Sequence, residues 1–132
     1  MCLDGWVIHK PFTLRLGALS VRLIHDDSVL ADSVEVAETL RAKIRGVMFR
    51  DKIPEGYALV FPFDGVKRRS VHMLFVRVPI DVIWVADGEV TDVRTLSSWT
   101  GFGWGRGDMI IEMRAGSADG VQKGESLRIE DT

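Results

Sequence analysis

Apolar positions along this chain change their spacing several times, and each change marks an element. The longest apolar stretch lies within residues 70–96 and is punctuated by Pro79 and by Asp87-Gly88. Asp-Gly between two β-branched runs is the strongest short-range hairpin signal, because the favoured turn needs positive φ at both central residues. The pattern predicts a buried strand, a break at Pro79, a second buried strand, a tight turn and a returning strand. Upstream, residues 5–9 and 12–25 read as strands, with Val21 and Leu23 flanking Arg22 and the turn cluster Asp26-Asp27-Ser28 ending them. Val34-Glu35-Val36 alternates as a half-buried strand does. Then the period switches to a helical one: Leu40, Ile44 and Val47 fall at i, i+4 and i+7. Thr39 offers an N-cap and Gly46 a left-handed C-terminal stop. One short helix, Leu40–Arg45, is predicted. Two turns cannot stand alone in water, so Leu40 and Ile44 are expected to dock on a sheet. A longer helix from Asp32, using Glu35 for a capping box, ranks second because Val34 and Val36 alternate.

Further on, Pro54-Glu55-Gly56 reads as a turn, and residues 57–63 as a strand closed by Pro62, Asp64 and Gly65. Lys67-Arg68-Arg69 reads as a solvated face or as protection of an edge strand. Glycines at 101, 103, 105 and 107 frame Phe102, Trp104 and Arg106, which predicts a mobile connection over 99–108. Strands over 109–114 and 126–129 complete the set. The sum is a mainly β fold: a compact jelly-roll-like or barrel-like sandwich of about eight short strands with one short helix near Leu40–Arg45.

Composition narrows the function classes. A length of 132 residues predicts a single domain. Net charge is −2, from 17 basic and 19 acidic residues, which gives no global attraction to phosphate backbones or anionic lipid. That argues against a nucleic-acid partner. The lone Cys2 excludes an internal disulfide framework and a cysteine-based zinc site. Trp6-Val7-Ile8 is followed at once by His9 and Lys10, so no secretory signal is read, and no segment is apolar enough to span a membrane. A cytoplasmic location is expected.

Several separated segments resemble one family. Arg45-Gly-Val-Met-Phe-Arg50, the run from Ser70 through Met73 to Pro79-Ile-Asp81, and Ile111-Glu112 with Ala115-Gly116 look like domain of unknown function 192, DUF192. Trp99 and Gly124-Glu125 fit the same pattern, and the match extends over roughly residues 20–131, leaving an extra strand at about 5–16. The resemblance implies a compact, mainly β domain with one small helix and implies little about function. His72-Met73-Leu74-Phe75 departs from the Trp-Met-Lys-Asn of many members, so no role of that Lys-Asn pair carries over.

Three residues could carry chemistry. Asp81 sits among Pro79, Ile80, Val82 and Ile83, and a buried carboxylate there needs backbone N–H groups or an arginine such as Arg50 or Arg45. Glu112 lies within Met109-Ile-Ile-Glu-Met113 and invites the same arginine pairing. His72 alternates onto the face of Leu74 and Val76. No metal site is expected, because His72, Asp81 and Glu112 lack ligand spacing, and no cofactor motif is present. The leading reading is non-catalytic: a small ligand or protein is bound by Trp99, Phe102, Trp104, Arg106 and Arg50. The competing one is a hydrolase-like enzyme using Asp81 and Glu112, with His72 as acid or base.

Overall fold

A computed structural model describes residues 21–131, so the strands expected before residue 21 lie outside the described residues. In chain order the elements are β1 (Val21–His25), β2 (Ser28–Ala31), β3 (Ser33–Val36), α1 (Leu40–Arg45), β4 (Tyr57–His72), β5 (Ile80–Ala86), β6 (Glu89–Leu96), β7 (Phe102–Arg114) and β8 (Leu127–Asp131). The eight strands form two open sheets, ordered β2-β1-β8 and β3-β4-β7-β5-β6. The mainly β sandwich expected from the sequence is therefore present, and among the described residues no barrel closes, since β3 and β6 are the edges of the larger sheet there.

The larger sheet has a core on each side. One contains Leu23, Ala31 and Leu127 of the small sheet together with Val60, Ile83, Ile111 and Met113 of the large one. The other gathers Leu59, Phe61, Val82, Trp84 and Ile110 under Ala37, Val47 and Ile53. This follows from period-2 alternation: Val82 and Ile83, or Ile110 and Ile111, point to opposite faces.

The helix has the predicted bounds. The Thr39 hydroxyl accepts the Ala42 N–H at 3.0 Å, and Gly46 has φ 50° while its N–H returns to the Ala42 carbonyl at 2.9 Å. Gly46 ψ is −127°, outside the left-handed helical region expected of a C-terminal stop. Its buried face also differs from the expected one: Ile44 is 39 % exposed, while Lys43 is buried with its ammonium 4.7 Å from the Phe63 ring centroid. The lysine stem covers apolar surface and the ring face receives the charge.

The Asp87-Gly88 hairpin forms as expected, with φ 51° and 81° and Ala86 opposite Glu89. Two other expectations fail. Pro62, Asp64 and Gly65 do not end a strand; β4 continues through a pairing irregularity between Pro62 and Lys67 and runs on to His72. Residues 99–108 are not a mobile loop, because Phe102–Arg114 is one strand paired to β4. The reason is Trp84. A Cβ at Gly105 would lie 2.6 Å from Trp84 Cγ and one at Gly103 3.3 Å from Trp84 Cη2, so the glycines let a strand cross the indole closely.

The same packing corrects the reading of the basic triplet at Arg69 alone, since Lys67 and Arg68 are exposed as a solvated face requires. Arg69 is 1 % exposed, sends Nε–H to the Gly107 carbonyl at 2.7 Å, and lies 3.9 Å from the Phe63 ring centroid. Its own carbonyl accepts Trp84 Nε1–H at 3.0 Å. β4 is an inner strand of its sheet, so Arg69 fixes a crossing of strands and does not shield an edge.

Candidate functional site

The three candidate catalytic residues do not meet. Asp81 stands opposite Met113 and Glu112 opposite Val82, and directly paired residues share a face, so the two carboxylates point to opposite sides of the sheet. Asp81 is buried and satisfied without an arginine. Its Oδ1 accepts the Thr95 hydroxyl at 2.6 Å, and its Oδ2 accepts the N–H groups of Gly116 and Ala118, both at 2.9 Å. It anchors the turn that follows β7. His72 ends β4; burial holds its imidazole below the ordinary value, and its Nδ1 accepts the Leu74 N–H at 3.3 Å. Leu74 is exposed while Val76 is buried, because the strand ends before them. No cleft joins Asp81 to Glu112.

Glu112 is different. It is 0 % exposed, and neither carboxyl oxygen has a hydrogen-bond partner. Burial pushes its pKa up to about 8, with the Arg50 charge pulling the other way. Arg50 does not reach it; that guanidinium donates to Glu35 Oε1 at 3.3 Å, and Tyr57 OH donates to the same oxygen at 2.5 Å. The Tyr57 bond, ahead of the arginine, is what holds Glu35 below the ordinary carboxylate range.

Outside the core, aromatic side chains gather at the end of the sheet where β4 finishes and β7 begins. Phe49 stacks on Phe75 with centroids 5.3 Å apart, and Phe75 meets Trp99 edge-on at 5.9 Å. All three are 42–54 % exposed, and all three have left-handed φ, 67°, 63° and 65°. Backbone bonds hold them there: the Phe49 N–H goes to the Phe75 carbonyl and the Trp99 N–H to the Val76 carbonyl, each at 2.9 Å. A bulky side chain at positive φ is strained by roughly 1–2 kcal/mol. Next along, Phe102 pairs with His72 and packs on Trp104 at 5.7 Å. Guanidinium carbons of Arg68 and Arg94 lie 4.8 and 5.7 Å from the Trp104 centroid. Arg68 stands directly opposite Arg106, a like-charge pair that destabilises the ladder locally.

Of the expected binding residues, Phe102, Trp104 and Arg106 occupy alternate positions on one face of β7, Trp99 packs with Phe75 in the other aromatic group, and Arg50 belongs to neither. Sequence reading missed Phe49, Phe75, Arg68 and Arg94. A pair of aromatics inside Met48-Phe49-Arg50 and Leu74-Phe75-Val76 looks like core until the chain is seen to turn outward there.

Arg50 instead lines a groove of about 320 Å³ beside α1, with Arg41, Arg45 and Glu35. A second concavity, about 610 Å³, is bounded by Ile53, Pro54, Val78, Pro79 and Arg114. Among the described residues one cluster has metal-ligand composition: His25, Asp26 and Glu125, their ligand atoms within 4.8 Å of one another. His25 Nε2 is 2.8 Å from Glu125 Oε1, Gln122 donates its N–H to that oxygen, and Ser126 donates its N–H to Asp26. These bonds account for the cluster as a clamp between the β1–β2 turn and the turn before β8.

Residues 21–129 match the family model of DUF192, described as Uncharacterized ACR. The chain belongs to the DUF192 family. Curated relatives are UPF0127 proteins of Thermococcus gammatolerans (strain DSM 15229 / JCM 11827 / EJ3) and Thermococcus kodakarensis (strain ATCC BAA-918 / JCM 12380 / KOD1), 33 % and 31 % identical over 67 residues. Each alignment covers 50 % of this chain and only 44 % or 43 % of the relative. The DUF192 fold recurs in a protein from Sinorhizobium meliloti 1021 provisionally described as a transcription regulator, with TM-score 0.69, 22 % identity, and 84 % of this chain and 93 % of that one covered. It recurs also in a protein of unknown function from Novosphingobium aromaticivorans DSM 12444, with TM-score 0.71, 18 % identity, and 91 % and 93 % covered. At these identities the likeness concerns the fold alone. For this DUF192 chain no specific function is established by the match. No helix among its described residues is long and apolar enough to cross a membrane.

Proposed function

We propose that this chain is a non-catalytic binding domain whose aromatic surface docks an acidic, partly apolar segment of a protein partner. One observation carries the reading. Three exposed aromatics are each held in a left-handed backbone conformation, with Phe75 stacked on Phe49 and edge-on to Trp99. Strain of that kind, held in place by the backbone bonds to Phe75 and Val76, is of the sort that gathers at functional sites. Exposed aromatic area of this sort also marks protein contact surfaces.

Neither the groove beside α1 nor the concavity at Pro54 is lined by Trp99, Phe102, Trp104 or Arg106. Exposed aromatic rings at the end of a sheet suit a macromolecular partner. Arg68 and the opposed Arg106 favour negative charge on that partner, which would relieve their repulsion, while Arg94 is already paired with Asp92 at 3.1 Å. A nucleic acid suits the surface less well. Phe49 and Phe75 already cover each other, and two guanidiniums approach the Trp104 ring, so few ring faces are free for bases.

The test selects short peptides from a random display library on the immobilised chain and maps the recovered peptides by backbone amide shifts. Peptides rich in Asp, Glu, Leu and Phe are expected, shifting residues 74–76 and 99–106, with binding lost in the double variant Phe75→Ala/Trp99→Ala. Shifts confined to other regions would sink the reading. So would tight, salt-sensitive binding of an oligothymidine in place of peptide.

A further inference from the structure

The groove beside α1 is separate from the aromatic surface and has its own chemistry. Its rim carries three guanidiniums, Arg41, Arg45 and Arg50, against one carboxylate, Glu35. Its floor is apolar: Leu59 is 4 % exposed and Ala37 3 %. Its volume, about 320 Å³, is at the lower end of what small-molecule sites use.

We propose that this groove is a binding site for a small oxyanion-bearing ligand, a carboxylate or phosphate held by Arg41 and Arg45 above Leu59, with Arg50 closing one end. Guanidinium is the side chain whose planar fork matches these anions, and three of them in one concavity focus positive potential in a chain that is acidic as a whole. Glu35, bonded to Tyr57 and Arg50 at the end of the groove, offsets one of the three charges and leaves the groove with a positive excess.

A neighbour of the floor points the same way. Glu112 is the cross-strand neighbour of Leu59, shares its face, and is fully buried with both oxygens unpartnered. A buried carboxyl in that state is uncharged at neutral pH, so it does not repel an anion in the groove beside it. Two segments singled out in the sequence, Arg45-Gly-Val-Met-Phe-Arg50 and Ile111-Glu112, therefore converge from distant parts of the chain on one small region. Arg45 and Arg50 are brought into it because α1 ends at Arg45 and the following turn reverses the chain, with Met48 N–H on the Arg45 carbonyl at 2.9 Å.

The experiment is a titration of the full chain with inorganic phosphate and, separately, succinate, at constant ionic strength, followed by backbone amide shifts. The two arms distinguish a phosphate from a carboxylate preference. Saturable shifts are expected at 39–46 and Arg50, with an affinity that falls about tenfold or more in Arg41→Gln/Arg45→Gln. Both arginines are solvent-facing, so the variant keeps its core, and unchanged shifts elsewhere in its spectrum verify that. Arg128→Gln, on an exposed arginine paired with Glu130, serves as a control expected to bind like the parent chain. Linear, non-saturating shifts spread over every exposed basic residue overturn the proposal, as does an equal affinity in the double variant.

Discussion

Asp81 and Glu112 are both carboxylates enclosed by one sheet, and hydrogen bonding makes them opposites. Asp81 has three donors and acts as an anchor, so Asp81→Ala leaves the Gly116 and Ala118 N–H groups and the Thr95 hydroxyl unpaired. A loss of about 2–4 kcal/mol is expected in urea unfolding; a loss below ~1 kcal/mol would show that water replaces the carboxylate. Glu112 has no donor, and its pKa rises from 4.5 to about 8 on folding. The folded state therefore holds a proton that the unfolded chain releases. Stability associated with Glu112 is complete below pH ~4.5 and is lost as pH rises through about 8, by up to about 1.4 kcal/mol per pH unit. Urea midpoints of the parent chain should fall across that window relative to Glu112→Gln; parallel profiles would contradict the assignment. The sequence showed that both carboxylates sit in apolar strands and offered Asp81 backbone N–H groups or an arginine; the backbone groups are what it has, though residue identity could not say which. The arginine expected for Glu112 is not there, because Arg50 is committed to Glu35.

Among the elements, those defined by local chemistry were legible and those defined by distant packing were not. The α1 bounds and the Asp87-Gly88 turn follow from a cap hydroxyl and from positive φ, both set within a few residues. The first half of β7, up to Asp108, was read as a loop because alternate glycines weaken a strand locally; its cause is Trp84, nineteen and twenty-one residues away in sequence from Gly103 and Gly105. Gly105→Ala tests that cause directly. Its Cβ would press on Trp84 Cγ, so a destabilisation of about 1–3 kcal/mol is expected, whereas an exposed loop glycine would lose little or gain. The aromatic surface was half legible for a related reason. Trp99, Phe102 and Trp104 stood out in a glycine-rich stretch, but Phe75 was hidden inside an apolar run that reads as strand. The left-handed backbone at Trp99 offers a sharper prediction. Trp99→Gly removes strain and an exposed ring together, so the variant is expected to unfold at equal or higher denaturant concentration, by about 0.5–1 kcal/mol, while losing the peptide binding proposed above. A loss of stability would mean that the edge contact with Phe75 outweighs the strain.

At the scale of the whole molecule, the large sheet separates two cores and two kinds of surface. β7 is bonded to β4 on one side and β5 on the other, and residues 110–113 are buried on both faces. The small sheet covers one side, while α1 and the segments around Val47 and Ile53 cover the other. The proposed oxyanion groove uses this thinner cover, in which a six-residue helix is too short to be stable by itself. Protection from hydrogen exchange should report the asymmetry. The amides of Ile110 to Met113 are expected to exchange only through global unfolding, with a denaturant dependence equal to that of the full transition. Those of Lys43 and Gly46, each bonded only within the helix turn, are expected to exchange by local opening with little denaturant dependence. Saturating phosphate or succinate should slow exchange at Lys43 and Gly46 selectively, because a ligand held by Arg41 and Arg45 binds only the closed helix. If both regions instead exchange together through one opening, α1 belongs to the same cooperative unit as the sheet, and the groove is a rigid feature of the fold.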